Sequence, residues 1–181
     1  MFSTLIRLAD EDDLPELPAI EASAGAAFAG VAGLEAVATA TGLDAAALQL
    51  AFEAGEVWVA QALEDPLFGE LVAFAVTRRE GRDLHLVELS TRREVQGRGI
   101  GRALLAAILE QALEAGCTGA TLTTFRDVPW NAPFYARMGF RELAADGLPG
   151  HLRDALAAEA ARGVLPMERR CAMRLALGNA S

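Results

Sequence analysis

Lysine is absent from this 181-residue chain, and all 16 of its cationic residues are arginine. With no Gly-Lys-Ser/Thr run available, a nucleotide-triphosphate loop is excluded. The abundance of alanine and glycine beside the arginines assigns this usage to a GC-rich coding sequence. Cysteine is almost as scarce. Cys117 and Cys171 stand alone, no Cys-x-x-Cys spacing occurs, and only His85 and His151 could join them. That excludes a disulfide framework and gives no pattern for a metal site. Long apolar runs are missing too. The stretch 103–109 (ALLAAIL) is far shorter than the ~20 residues of a membrane span, so no membrane partner is expected. The first residues, MFSTLIRL and then acids, read as a strand and a turn, with none of the basic and then apolar order of a signal segment. A cytoplasmic location is the expectation. With a net charge of −9 and a pI near 4.7, nucleic acid is an unsuitable partner, whereas a cationic amine is compatible.

What is present is an ordinary α/β composition. The 52% apolar share, spread over 181 residues, supports one domain, 1–181, with a substantial core. Periodicity predicts a strand at 2–8 and a turn at Ala9-Asp10-Glu11-Asp12-Asp13. A helix follows over 14–27, with Leu14, Leu17, Ile20 and Ala24 at helical spacing. A short helix is expected around 34–39, and a helix over 45–54 capped by Asp44 and stopped by Gly55. Strands are predicted at 56–62, 70–77 and 84–90, with Asp65-Pro66 and Glu80-Gly81 as turns between them. Then come a helix over 103–115, a strand at 120–125, a helix at 132–138, a strand from Arg141, a helix at 151–162 and a final alternating strand at 170–177. No internal repeat or linker interrupts this order. It predicts an α/β (α+β) fold, a mixed sheet with helices on its faces.

The most informative segment is 96–102, Gln-Gly-Arg-Gly-Ile-Gly-Arg, between the strand LHLVEL and the helix ALLAAILEQALEA. A glycine-rich bend leading from a strand into a helix N-terminus gathers outward-pointing N–H groups at the positive end of the helix dipole. Such a place suits an anion like a pyrophosphate. The dinucleotide fingerprint Gly-x-Gly-x-x-Gly/Ala fails at both registers, because its last place falls on Arg102 or Leu104. What remains is Gln96-x-x-Gly99-x-Gly101. This run is followed by the long helix, by ATLTTF and by NAPFYARMGF. In that order and spacing, residues 84–143 closely resemble the GNAT superfamily of acyl-CoA-dependent N-acyltransferases.

The resemblance implies the acyl-CoA N-acyltransferase fold, a mostly antiparallel central sheet splayed at the cofactor strand and flanked by helices, with acetyl-CoA as cosubstrate and no metal. It implies that the strand ahead of the loop opens at a bulge and offers Leu89, Ser90 and Thr91 to the pantetheine arm. The backbone of Gln96, Gly97, Arg98, Gly99, Ile100, Gly101 and Arg102 would hold the pyrophosphate. Arg98 and Arg102 are candidates for charge-assisted bonds, beside the alternative of a solvated pair. Tyr135, the chain's only tyrosine, matches the residue that protonates the departing thiolate. A phenol with a pKa of about 10 is protonated at neutral pH and suits that donation. Phe134 and Phe140 read as packing residues, and Phe134 falls in the cofactor-binding set by position.

Glu88 is the candidate base, since an acid inside LVEL is costly unless paired or facing a wet cleft. Strand parity puts Leu84, Leu86, Glu88 and Ser90 on one face and His85, Val87 and Leu89 on the other. His85 is thus expected as a satisfied structural histidine. Glu21 reads as a solvated residue or one facing the acceptor. Relatives carry an asparagine seven residues before the tyrosine, where this chain has Val128. Asn131 is expected as the N-cap of the following helix, with a cofactor contact as its second reading. Asp127 and Trp130 are candidates for the acceptor side. No cysteine or serine has a nucleophile's setting, so direct attack by the amine is expected. The acceptor is expected to be a small-molecule amine, with a protein or peptide acceptor and a non-catalytic acyl-CoA sensor as alternatives. The final strand, 170–177, offers a route to a homodimer by edge pairing.

Overall fold

Two prolines fix how the first helical stretch is wound. Pro15 and Pro18 have no N–H to donate, so an α-helix cannot run through both. In the computed structural model, which describes residues 2–40 and 42–178, a 3-10 helix spans Glu11–Glu16 with Pro15 inside it. Helix α1, Leu17–Gly25, then starts with proline in its first turn, where the missing N–H costs nothing. A second 3-10 helix, Ala26–Gly30, ends the stretch. The single helix expected over 14–27 is therefore three short pieces. Helix α2, Ala45–Glu53, is capped by Asp44, whose carboxylate accepts the Ala47 N–H at 2.7 Å.

The strands are β1 (Thr4–Leu8), β2 (Val57–Ala62), β3 (Leu71–Glu80), β4 (Asp83–Thr91), β5 (Gly119–Phe125), β6 (Arg141–Glu142) and β7 (Arg170–Ala176). They hydrogen-bond in the order β1-β2-β3-β4-β5-β7-β6. The β1–β2, β2–β3, β5–β7 and β6–β7 pairs are antiparallel and the β4–β5 pair is parallel. This is the mixed, mostly antiparallel sheet flanked by helices that the sequence predicts. The remaining helices are α3 (Ile100–Glu114), α4 (Ala132–Arg137) and α5 (Gly150–Ala161).

Packing divides the chain into two units. The first takes the residues up to Arg78 together with Val87–Gln111. Its core joins Leu17 and Ile20 of α1, Leu48 of α2, and Val57, Val59, Leu71, Phe74 and Val76 of the sheet. Burying side chains of this size stabilises a fold by about 1.5–3 kcal/mol each. β2 shifts register between Ala60 and Gln61, opposite Ala73 and Leu71.

The second unit takes Arg79–Leu86 and the residues from Ala112 onward. Leu148, Leu152 and Ala172 form a small apolar cluster in it, with Leu143 and Leu156 packed alongside. A polar row on β4, β5 and β7 joins α5 through His151 and Glu159. Register sets Asp83 and His85 of β4 against Gly119 and Thr121 of β5, with Arg174 of β7 across from Thr121. Arg174 grips Asp83 with two bonds of 2.8 Å. Thr121 Oγ1 lies 3.0 Å from His85 Nδ1 and 3.1 Å from His151 Nε2 of α5. Glu159 of α5 accepts from Thr123 and, through both oxygens at 2.8 Å, from Arg170, which also sits over the Phe125 ring at 4.7 Å. A Cβ at Gly119 would run into the Arg174 guanidinium and the Asp83 carboxylate, so a larger residue there would have to displace that pair.

β7 lies between β5 and β6, pairing with β5 along its whole length and with β6 at Met173 and Arg174.

Candidate functional site

The glycine loop belongs to the first unit, and its geometry follows from main-chain chemistry. The parallel β4–β5 ladder stops at Leu86↔Leu122, which frees the C-terminal half of β4, residues 87–91, from that pairing. A 3-10 turn at Arg93–Val95 follows. Gln96 then reaches back, its Nε2 donating to the Thr91 carbonyl at 3.0 Å, and so pins the start of the loop to the strand end. Gly97 (φ +77) and Gly99 (φ +89) lie in the left-handed region, which explains glycine at both places.

Helix α3 begins at Ile100, three residues before the sequence-based start, because Gly101 and Arg102 already lie in its first turn. The Gly99 carbonyl accepts the Ala103 N–H at 3.0 Å, which makes Gly99 the cap residue, and glycine has no side chain with which to cap. No acid stands in the first turn. Helix geometry leaves the N–H groups of Ile100, Gly101 and Arg102 without intrahelical acceptors. Ile100, 2% exposed, anchors the turn in the core. Gly101 is small for a different reason from its neighbours: a Cβ there would meet Thr91 Oγ1 at 3.3 Å. The result is a cluster of outward N–H groups at a helix N-terminus, suited to an anion. Arg98 packs over the Phe2 ring at 5.5 Å, while Arg102 is exposed on the first turn. Ahead of the loop, the Arg93 N–H donates to Ser23 Oγ at 3.0 Å, tying α1 to this segment.

Glu88, Leu89, Ser90 and Thr91 lie together on the same unit's β4. Ser90 is buried, and its hydroxyl donates to Glu88 Oε1 at 2.7 Å. That bond places both side chains on one strand face and uses the hydroxyl hydrogen of Ser90. His85 belongs to the second unit, where its contact with Thr121 makes it structural.

Tyr135, Phe134 and Asn131 also lie in the second unit. The Asn131 carbonyl accepts the N–H groups of Phe134 (2.8 Å) and Tyr135 (3.1 Å), which starts α4. Pro133 occupies the first turn. Tyr135 is 8% exposed, its ring edge-on to Phe134 (5.0 Å) and Phe140 (5.7 Å). Gly139 (φ +95) turns the chain so that the Phe140 N–H returns to the Tyr135 carbonyl at 3.1 Å. The aromatic packing therefore fixes the ring of the candidate acid.

The Asn131 side chain departs from expectation. It occupies the N-cap position but makes no capping bond; its Nδ2 donates to buried Thr124 Oγ1 at 3.0 Å instead. Its backbone (φ −109, ψ −115) is not the extended one that aims a cap at the helix. Its Oδ1 is buried without a hydrogen-bond partner. Val128, at the place where relatives carry asparagine, is fully buried.

Other candidates find structural partners. Glu21 accepts the Leu43 N–H on both oxygens at 3.3 Å, and so fastens the segment ahead of α2. Asp127 pairs with Arg169 at 2.9 Å, which holds its carboxyl below the usual range. Trp130 is exposed. Burial pushes the Cys171 thiol up to about 11, so it is poorly suited to act as a nucleophile. Among the described residues, no three His, Cys, Asp or Glu side chains group as metal ligands, and no helix is long and apolar enough to cross a membrane.

Comparison with known proteins adds the following. The acetyltransferase (GNAT) family model matches residues 30–140. N-acetylglutamate synthase from Neisseria gonorrhoeae, solved with coenzyme A and N-acetyl-glutamate, is similar at 16% identity and a TM-score of 0.71. That likeness covers 99% of this chain but 36% of the synthase, so the chain spans about a third of it. The ribosomal-protein-S18-alanine N-acetyltransferase from Escherichia coli is similar at 18% identity and a TM-score of 0.63, covering 99% of this chain and 97% of that one. Nourseothricin acetyltransferase reaches 27% identity with a TM-score of 0.50, over 67% of this chain and 65% of that one.

Proposed function

The chain belongs to the GNAT acetyltransferase family, and from that premise we propose that it transfers the acetyl group of acetyl-CoA to a primary amine by direct attack. The observation that carries this reading is the loop ahead of α3: left-handed Gly97 and Gly99, a helix N-terminus whose cap residue is glycine, and no acid in the first turn. These fit a pyrophosphate. Acetyl-CoA, when bound, supplies the thioester-activated acetyl group.

Main-chain N–H groups of the loop hold the phosphates, and the released end of β4 at Leu89, Ser90 and Thr91 receives the pantetheine arm. Phe134 and Asn131 belong to the same cosubstrate contact set. Glu88 accepts the proton that the amine gives up as its C–N bond forms. Tyr135 donates its hydroxyl proton to sulfur as the C–S bond breaks. The raised Cys171 thiol supports a route without an acyl-enzyme.

The acceptor in this reading is a small molecule. The likeness to nourseothricin acetyltransferase and the net charge of −9 favour it. The near full-length likeness to the S18-alanine acetyltransferase supports a protein or peptide acceptor as the second reading. The protein acts as one acetyltransferase domain, 1–181, in the cytoplasm.

Release of CoA thiol from acetyl-CoA across parallel panels of small amines and N-terminal peptides tests the reaction. The expected result is release with a small amine and none with buffer alone. Tight acetyl-CoA binding with no release on either panel would point to a sensor. With an accepted amine, Tyr135→Phe should lower kcat about 100-fold, the scale of a lost general acid. An unchanged kcat across the pH range removes that role.

A further inference from the structure

Glu88 has three rotatable side-chain bonds and lies on a strand, where a carboxylate without an anchor samples several rotamers. A proton acceptor must instead sit within hydrogen-bond reach of the proton it takes. In β4 one such anchor is two residues on. Ser90 is 4% exposed, and its hydroxyl hydrogen is committed to Glu88 Oε1 at 2.7 Å. The i, i+2 spacing puts both on one face, so the carboxylate is drawn along the strand toward the loop. The strand end is itself held. The Thr91 carbonyl accepts from Gln96 Nε2 at 3.0 Å, and Thr91 Oγ1 lies where a Gly101 Cβ would meet it at 3.3 Å. A carboxylate clamped on a fixed strand is the arrangement that a placed base requires.

We infer that Ser90 is a positioning residue for the acetyl transfer, its hydroxyl clamping the Glu88 carboxylate in the orientation from which it takes the amine's proton. This rests on the reading of Glu88 as the base. Ser90 keeps its own proton throughout; the proton lost by the amine ends on Glu88.

Side-chain coupling constants of Glu88 in the full-length protein, labelled with 13C-glutamate and assigned by signal loss in Glu88→Gln, test the clamp without any acceptor. Wild type should show one rotamer, Ser90→Ala an average over several, and Ser90→Thr, which keeps the hydroxyl, one rotamer again. Turnover with acetyl-CoA and the amine giving fastest CoA release tests the consequence. Ser90→Ala should lower kcat about tenfold and change KM for the amine less than twofold, and Ser90→Thr should restore most of the rate. Added to Glu88→Gln, Ser90→Ala should cost nothing more, because one interaction cannot be lost twice. A single Glu88 rotamer in Ser90→Ala, or additive losses in the double variant, overturns the inference even where Glu88 proves to be the base. Glu88→Gln at the wild-type rate overturns the base reading, and the inference falls with it.

Discussion

The loop ahead of α3 and the row of side chains beneath α5 handle polar groups in opposite ways. In the loop, polarity is main-chain: glycines at 97 and 99 turn the backbone, glycine is the cap residue of α3, and helix geometry leaves the first N–H groups without intrahelical acceptors. Beneath α5, polarity is carried by side chains that pair with one another. Asp83 with Arg174, His85 and His151 about Thr121, and Glu159 with Thr123 and Arg170 satisfy one another. A surface of unspent donors is built to receive a ligand, whereas a saturated network holds a helix in place. The difference teaches where to look for function: at polar groups the fold leaves open.

If that contrast is right, Gly99→Val should be the most damaging change to the loop. A β-branched residue at φ +89 is strained by about 1–3 kcal/mol, and its side chain crowds the donors. Calorimetric titration with CoA should show a loss on the order of 100-fold. Binding at wild-type strength would mean that the main chain is not the ligand surface.

The network should instead report on stability. Arg174→Met leaves the Asp83 carboxylate, 14% exposed, without its partner. Breaking a buried pair costs about 3–5 kcal/mol. Because the Arg174 side chain is 32% exposed, roughly 2 kcal/mol is expected in urea unfolding.

Acid should dismantle the same pair. Hydrogen bonding to Arg174 holds the Asp83 carboxyl below its ordinary value of 3.8, and Arg7 does the same for Asp13. A lowered carboxyl contributes stability that is complete above the unfolded-state value and is lost as pH falls through the lower, folded one. Unfolding measured from pH 5 downward should therefore lose stability below about pH 4, and Asp83→Asn should flatten part of that slope. An unchanged slope would remove Asp83 from the account.

Gln96→Ala should do least. It removes one exposed hydrogen bond to the Thr91 carbonyl, about 1 kcal/mol, and should weaken CoA only a few-fold. A loss as large as that of Gly99→Val would make the Gln96 side chain, rather than the backbone, the centre of the site.

The legibility of the two regions follows the same division. Residues 96–102 were readable because their chemistry is local: a run of glycines between a strand and a helix dictates its own geometry. Even so, α3 begins at Ile100 where periodicity starts it at Ala103, since glycines carry no apolar signal. Residues 14–27 misled because Pro15 and Pro18 change the winding without changing the apolar spacing. Asn131 had the composition of a cap, but buried Thr124, seven residues earlier, takes its amide. Ser90 stood in plain view beside Glu88, and strand parity already put them on one face. Only the 2.7 Å bond shows that their side chains are joined.

By itself the sequence determined the order of elements, the anion-suited loop, the lone tyrosine at Tyr135 and the kinship these carry, because each depends on neighbours along the chain. The tertiary structure decided the rest. It set β7 between β5 and β6, and it gave Thr121 two histidines drawn from β4 and α5. It also fixed Tyr135 between Phe134 and Phe140. Those outcomes depend on which distant segments meet, and pairing across a sheet brings together residues whose separation along the chain carries no local signal.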